Sequence, residues 1–240
     1  MCQLRVDVDL RKRALAVRPP QARREKPRVS AFTSANIDKI LALKPGLVLT
    51  FSDLQADIVA DLIRRGVNVH AFNQRTVAGI LAMIQMLGAI ADVGRRAEEL
   101  VLTLEACLTE ARIRAERLPE RPKVFFEEWD NPLISGIGWV SELIEIAGGI
   151  DIFADRRNQG AAKDRVVTAD EVVAAKPDLI IGSWCGKKFR PERVAARPGF
   201  DSIPAVQHHH LYEIKSSLIL QPGPAALTDG LAELQNIIER

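Results

Sequence analysis

The sequence predicts an α/β protein made of two similar lobes, each with a parallel sheet, joined by one long bridging helix. Three observations lead to this fold class. Short apolar runs alternate with helical segments, a pattern typical of parallel sheets covered by helices. One segment of the first half recurs in the second half. Between the halves, residues 94–118 keep a helical apolar spacing without a proline.

The repeat relates residues 36–50, NIDKILALKPGLVLT, to residues 168–182, TADEVVAAKPDLIIG. Each copy contains a helix-capping residue, an acid two positions later, an apolar helix face, Ala-x-Lys-Pro and a short apolar strand. Self-similar segments favour two structurally alike modules over one continuous sheet. A chance match between generic helix–strand segments is the alternative. Two lobes would leave a cleft between them, a position that ligands favour.

The first half supplies the expected elements in order. A short apolar run at residues 29–32 precedes a helix capped by Asn36. Strands follow at residues 47–51 and 67–72, on either side of a helix at residues 55–65. This βαβ order indicates a parallel pair of strands.

The second half repeats this alternation after two helices, predicted at residues 76–87 and 94–118. At about 1.5 Å per residue, the second of these would span roughly 36 Å, enough to join two lobes. Further strands are predicted at residues 124–126, 179–181 and 211–214, and helices at residues 138–147, 168–176, 190–196 and 225–238. The chain then divides into an irregular basic N-terminal segment (1–28), an N-terminal α/β lobe (29–92), a bridging helix (93–120) and a C-terminal α/β lobe (121–240).

Composition excludes several classes of protein. The 240 residues are 47% hydrophobic and 27% charged, and the formal net charge is only +2, so nothing indicates a nucleic-acid partner. The basic charge is concentrated in residues 1–28, with nine Lys and Arg against three Asp and Glu. No apolar run approaches the roughly 18 residues of a membrane span. Charges between Arg5 and Arg13 interrupt any secretory signal.

No catalytic or metal-binding motif is evident. Cys2, Cys107 and Cys185 lack the spacing of metal ligands. The run His208–His210 points its side chains to alternating faces, so the three cannot converge on one metal. A glycine-rich phosphate loop and a Gly-x-Ser-x-Gly elbow are both missing from the sequence. We therefore expect no catalytic residue and no metal ligand.

Four aromatic residues occupy similar places in the predicted sheets. Phe32, Phe51, Trp129 and Trp184 each fall at or just past the carboxyl end of a strand, the edge where α/β sheets bind ligands. Any one ring at such a position is more often part of the core. Four of them in equivalent places favour a cleft lined with flat apolar surfaces, which would suit a large flat ligand.

Acidic residues also occur near these strand ends. Glu127 and Glu128 are neighbours on a strand and must face opposite sides, so at most one can enter the cleft. Asp38 and Asp170 are equivalent in the repeat. Each would stabilise the first turn of a helix, or the two would form a pair of charges, one per lobe, that faces a partner.

Three segments resemble a known family. VFFEEWDNPLISGIGWVSELIEIAGG (124–149), KPDLIIGSWCGKKF (176–189) and LYEIKSSLILQPGPAALTDGL (211–231) are similar to the substrate-binding proteins of cobalamin (vitamin B12) ABC importers. The resemblance extends over residues 19–240. It implies two α/β lobes bridged by a rigid helix, capture of a corrinoid in the cleft and docking on the permease subunits of the importer. It also implies that no cofactor is carried and no reaction is catalysed.

The resemblance assigns roles to individual residues. Phe32 and Phe51 match aromatic residues that lie over the corrinoid, and Ser216–Leu218 match a ligand-contacting loop of the C-terminal lobe. Asp38 and Asp170 match the acids that pair with permease arginines. With the strand-end candidates added, the predicted ligand-binding residues are Phe32, Phe51, Ser52, Glu128, Trp129, Trp184, Ser216, Ser217 and Leu218.

The sequence departs from the family near its start. Pro19-Pro20 corresponds to a Tyr-Pro-Pro-like element, with Arg18 in place of the aromatic residue, and residues 1–17 resemble nothing that should precede it. We therefore expect a truncated N-terminal lobe that lacks its first strand and helix. The sheet edge exposed in this way could pair two chains into a homodimer. The resemblance implies a periplasmic location, although the sequence shows no signal peptide.

Two alternative functions are also consistent with the sequence. A ferric-siderophore or haem binder of the same fold would need converging basic residues, which Lys187, Lys188 and Arg190 would supply. A small α/β enzyme would use Cys185 or Glu128 and would show a strongly perturbed thiol or carboxyl pKa beside a base.

Overall fold

The computed structural model describes Glu25, residues 29–31 and residues 34–240. Except for Glu25, the predicted irregular segment 1–28 lies outside the described residues. The chain divides into two compact units, Met1–Gln74 and Arg75–Arg240. The long helix, Gly94–Ala115, belongs to the second unit. The lobe boundaries at residues 92 and 120 stay predictions.

The first unit is built on a parallel pair of strands. β3 and β4 pair in parallel, from Val48 opposite Val69 to Phe51 opposite Phe72. The crossover helix α2 buries Leu62 against this pair. The described elements of the unit are β1 (Ser30–Ala31), β2 (Ser34–Ala35), α1 (Ile37–Ala42), β3 (Val48–Phe51), a 3₁₀ turn (Asp53–Gln55), α2 (Ala56–Arg64) and β4 (Val69–Phe72).

The second unit contains a five-stranded sheet with helices around it. Its helices are α3 (Val77–Ile90), α4 (Gly94–Ala115), α5 (Gly138–Ile146), α6 (Ala169–Ala175), α7 (Pro191–Ala195), α8 (Pro204–Gln207), α9 (Ser216–Ile219) and α10 (Leu231–Ile238). Its strands are β5 (Lys123–Asp130), β6 (Leu133–Ser135), β7 (Ile150–Asp151), β8 (Leu179–Gly182) and β9 (Leu211–Glu213). The predicted α/β class, with parallel strands and helices in each unit, is confirmed.

The sheet of the second unit is centred on β5. The order is β6-β5-β8-β9, and β7 also pairs with the start of β5. β8 runs parallel to both β5 and β9, so the carboxyl ends of these three strands lie at one edge. Strand β6 pairs antiparallel with the far end of β5. It was not predicted, because it is defined by its pairing with β5 and not by a local sequence pattern.

The last predicted helix, residues 225–238, is interrupted in the structure. A π-helical segment, Ala226–Gly230, precedes α10. A Cβ atom at Gly230 would lie 2.7 Å from the carbonyl oxygen of Leu218, so only glycine allows this approach of the two backbones. The apolar spacing of the segment does not distinguish a π turn from an α turn.

The repeat is visible in the backbone. Asn36 caps α1 by accepting a hydrogen bond from the Lys39 amide at 2.9 Å, as predicted. Thr168 caps α6 in the same way, through the Glu171 amide. A lysine with positive φ follows each helix (48° at position 44 and 49° at position 176), immediately before the proline of each copy. The matching backbone supports two related modules over a chance resemblance.

A buried ion pair joins β5 to the loop after α7. The carboxylate of Glu127 is fully buried and accepts hydrogen bonds from Arg197 Nη1 at 2.6 Å and Nη2 at 2.8 Å. The indole N–H of Trp184 donates to the same carboxylate at 2.8 Å. Burial raises the pKa of Glu127, and the neighbouring guanidinium opposes this shift. A carboxylate so placed depends on Arg197 for its charge balance.

Removing the cation of this pair should be strongly destabilising. We expect Arg197→Met to lower the free energy of unfolding by about 3–5 kcal/mol, because it leaves a buried carboxylate without its partner. Urea denaturation measures the change. Adding Glu127→Gln should recover part of the loss. The control is Arg95→Met, at an exposed pair with Glu99, which should change stability by less than about 1 kcal/mol. Equal effects of the two arginine variants would contradict this expectation.

The cap of α6 should make stability depend on pH. The Thr168 amide donates to Glu171 Oε2 at 2.7 Å, and this hydrogen bond lowers the pKa of Glu171 below its ordinary value of 4.5. The stabilisation is therefore present above pH 4.5 and is lost as the pH falls through the folded-state pKa. We expect Glu171→Gln to lower the free energy of unfolding at pH 7, and this deficit to shrink as the pH falls below 4.5. A deficit that persists unchanged at the lower pH would refute the assignment.

Candidate functional site

The first unit places two predicted residues at the carboxyl end of β3. Phe51 is half-buried, and its amide donates to Gln55 Oε1 at 2.9 Å. Ser52 has a positive φ of 78°, and its amide donates to the carbonyl of Phe72 at 2.8 Å. The Ser52 hydroxyl donates to Asp53 Oδ1 at 2.8 Å, so it helps to form the turn. The predicted ligand residue Phe32 lies outside the described residues.

Glu128 forms an ion pair within the second unit. Its carboxylate accepts hydrogen bonds from the buried Arg165 guanidinium at 2.7 and 3.2 Å. Arg165 also donates to the backbone carbonyl of Ser135 in β6. Glu127 and Glu128 thus bind different arginines, as expected for neighbours on a strand. This arrangement favours a structural role for Glu128 over the predicted contact with a ligand.

Trp129 is the half-buried ring at the carboxyl end of β5. The pairing of β5 with β6 shifts register between Glu127 and Trp129, which changes the direction of the following side chains. The indole N–H donates to the Asn131 carbonyl at 2.9 Å. The ammonium of Lys187 lies 3.9 Å from the ring centroid. The ring is therefore held in one orientation at the edge where α/β sheets bind ligands.

Trp184 differs from Trp129 although both lie at or just past the carboxyl ends of parallel strands. Its side chain is only 3% exposed and belongs to a hydrophobic cluster with Phe189, whose ring centroid is 5.1 Å away. Its indole N–H is used by Glu127. The predicted ligand contact of Trp184 is therefore corrected to a core position, because the ring has almost no surface left for a ligand.

The predicted loop Ser216–Leu218 forms the start of the short helix α9. Ser217 is buried, whereas Ser216 and Leu218 are half-buried. The loop follows β9, so it lies at the same sheet edge as the end of β5. A hydrogen bond from α5 anchors its backbone, since Trp139 Nε1 donates to the Ile219 carbonyl at 2.8 Å. The second unit thus brings this loop and Trp129 to one edge.

The two repeat-related acids are on the surface. The side chain of Asp38 is 86% exposed, and one of its oxygens lies 3.6 Å from Arg65 Nη1. Asp170 is also exposed. Each lies in the first turn of its helix, α1 or α6. Both carboxylates are therefore accessible to a partner.

The sequence analysis did not identify Arg165 and Arg197 as the partners of the two glutamates. Consecutive glutamates at the end of a buried strand were the available signal, because each needs a cation when it is desolvated. Within the described part of the chain, no three His, Cys, Asp or Glu side chains form a group that could hold a metal ion. None of the described helices combines the length and apolarity needed to cross a bilayer.

Comparison with known proteins gives concordant matches. A family model described as periplasmic binding protein matches residues 10–218. YvrC of Bacillus subtilis, an uncharacterized ABC transporter substrate-binding lipoprotein, is 25% identical over 214 residues. A vitamin B12-binding protein of Vibrio parahaemolyticus is 22% identical over 220 residues. The alignments cover 85% and 87% of this chain. They cover 65% of the lipoprotein and 74% of the vitamin B12-binding protein.

A solved structure confirms the fold. The periplasmic heme-binding protein RhuT from Roseiflexus, in its apo form, superimposes with a TM-score of 0.78 at 23% sequence identity. The superposition covers 97% of this chain and 90% of RhuT. At this identity the similarity concerns the fold alone. It agrees with the two α/β units described above.

The family model covers most of the chain, which settles the class of protein. Members of this family bind solutes, catalyse no reaction and carry no cofactor. They are periplasmic or extracytoplasmic lipoproteins. The resemblance stated from the sequence is confirmed: this chain belongs to the periplasmic binding protein family.

Proposed function

We propose that this chain is the substrate-binding component of an ABC importer and that it captures cobalamin or a related corrinoid. The observation that carries the proposal is the oriented, half-buried Trp129 ring at the carboxyl end of β5. A corrin macrocycle is broad and flat, and a fixed indole offers stacking area with little loss of side-chain entropy. The similarity to a vitamin B12-binding protein supports this ligand.

Polar contacts complete the proposed site. The corrin ring carries amide side chains, which need hydrogen-bonding groups at the rim of a stacking surface. The half-buried Ser216 supplies a hydroxyl at the same sheet edge as Trp129, on a loop whose backbone is anchored by Trp139. Phe51, which is half-buried at the carboxyl end of β3 in the first unit, is proposed separately as a ligand-binding ring.

A haem or a ferric siderophore is the second candidate ligand. Lys187, Lys188 and Arg190 are exposed in the loop that follows β8, at the same edge as Trp129. Carboxylates of haem or of a siderophore would find cations there. The similarity of fold to the heme-binding RhuT is consistent with this alternative.

The proposed partner of the loaded protein is the permease of the importer, reached through Asp38 and Asp170. These exposed carboxylates occupy equivalent places in the two repeats, so each unit would present one charge to arginines of the permease. An extracytoplasmic location is part of this proposal. The homodimer expected from the sequence stays a prediction.

Removing a stacking ring should weaken corrinoid binding. We expect Trp129→Ala and Phe51→Ala each to reduce the affinity for cyanocobalamin about tenfold or more, because each removes a flat contact surface worth roughly 1–3 kcal/mol. Isothermal titration calorimetry gives the dissociation constants. Leu102→Ala, at an exposed apolar residue of α4, is the control and should bind normally. If the folded protein does not bind cyanocobalamin at high micromolar concentration, the proposal of a corrinoid ligand is wrong.

Reversing the two surface charges should impair docking alone. We expect Asp38→Lys and Asp170→Lys each to reduce binding to permease-containing vesicles, because lysine repels the expected arginines. Ligand affinity should stay unchanged. Asp57→Lys is the matched control, as Asp57 is an exposed first-turn acid of α2. Vesicle co-sedimentation measures the effect. Normal docking of both variants would exclude these acids from the interface.

A further inference from the structure

Lys187, in the loop after β8, places its ammonium group over the face of the Trp129 ring. Lys187 Nζ lies 3.9 Å from the centroid of the indole ring and 2.7 Å from Asp130 Oδ1. Trp129 and Asp130 are the last residues of β5, and Lys187 follows β8. Because these strands are parallel and adjacent, the three side chains form one cluster at the carboxyl edge of the sheet.

This cluster is built differently from an ordinary surface ion pair. The Asp130 side chain is only 11% exposed, so its bond to Lys187 is largely shielded from water. The ammonium is in cation–π range of the ring as well. Two independent contacts therefore hold Lys187, whereas an exposed lysine on a flexible stem usually has no fixed place.

The ammonium retains the capacity to bind a ligand. A lysine has three N–H donors, and one of them is directed to Asp130. The Lys187 side chain is still 39% exposed, so part of it faces solvent beside the ring. A ligand that approaches Trp129 thus meets a positive charge at the ring without any need to break the bond to Asp130.

We infer that Lys187 is a specificity-determining residue that binds an anionic group of the ligand next to the Trp129 ring. The inference rests on the proposed function and narrows its ligand class. A phosphodiester of a complete cobalamin and a carboxylate of haem share the required chemistry. A neutral or cationic macrocycle without such a group would gain no affinity from Lys187.

Two pairs of ligands distinguish the sources of the anion. Cyanocobalamin carries a phosphodiester, which dicyanocobinamide lacks. Haemin carries carboxylates, which are masked in its dimethyl ester. Each is titrated by calorimetry into the purified chain, into Lys187→Met and into Lys187→Arg. Lys163→Met is the control, since it removes an exposed charge of the same unit outside the proposed site.

We expect Lys187→Met to weaken binding of the anionic member of one pair about tenfold, as for loss of one charge-assisted hydrogen bond. The affinity for the other member of that pair should change less than twofold. Lys187→Arg should restore most of the affinity, and Lys163→Met should leave the affinity unchanged. The binding of the unsubstituted chain should also weaken with added salt, and that of Lys187→Met should weaken less.

Other results would overturn the inference. If Lys187→Met weakens both members of a pair equally, or neither, while the unsubstituted chain binds them, Lys187 recognises no anion and the proposed function still stands. If the unsubstituted chain binds none of the four ligands, the proposed function fails and the inference fails with it. Thermal unfolding of each variant separates these results from a loss of fold.

Discussion

The end of β5 is the constraint on which the second unit depends. Consecutive residues of a strand point to opposite faces, so Glu127 and Glu128 cannot share a partner. Glu127 forms an ion pair with Arg197 on one face of the sheet, and Glu128 forms one with Arg165 on the other. A cation bound to a desolvated carboxylate offsets much of the cost of burying its charge. The two pairs therefore tie the sequence-distant loops that carry these arginines to the same point of the sheet.

Much of the fold follows from local signals in the sequence. The helix caps, the lysines before proline and the alternation of strands and helices depend on residues near one another in the chain, and the repeat makes these signals visible twice. Strand β6 and the π-helical segment could not be found in this way. Strand β6 is defined by its pairing with β5, and the π-helical segment allows the close approach of Gly230 to the backbone of Leu218. Contacts of that kind leave no periodicity in the sequence.

The candidate site was predicted less completely than the fold. A position at the carboxyl end of a strand was the signal for both Trp129 and Trp184, and it does not indicate how deeply a ring is buried. Trp184 is in the core because Glu127 accepts its N–H, whereas Trp129 donates to the nearby carbonyl of Asn131 and stays half-buried. The first of these contacts spans 57 residues of sequence, beyond the reach of any local pattern.

The fixed orientation of Trp129 bears on how such a site reaches affinity and selectivity. Ordering side chains when a ligand binds normally costs free energy. A ring that is already held by a backbone carbonyl and by Lys187 avoids part of that cost. Stacking area alone would not separate one flat macrocycle from another, since every such ligand offers two apolar faces. Selectivity must then come from the groups at the rim of the ligand. In the site that we propose, the anchored Ser216 and the cation beside Trp129 would meet these groups, so that charge and hydrogen bonding would select among ligands with similar flat faces.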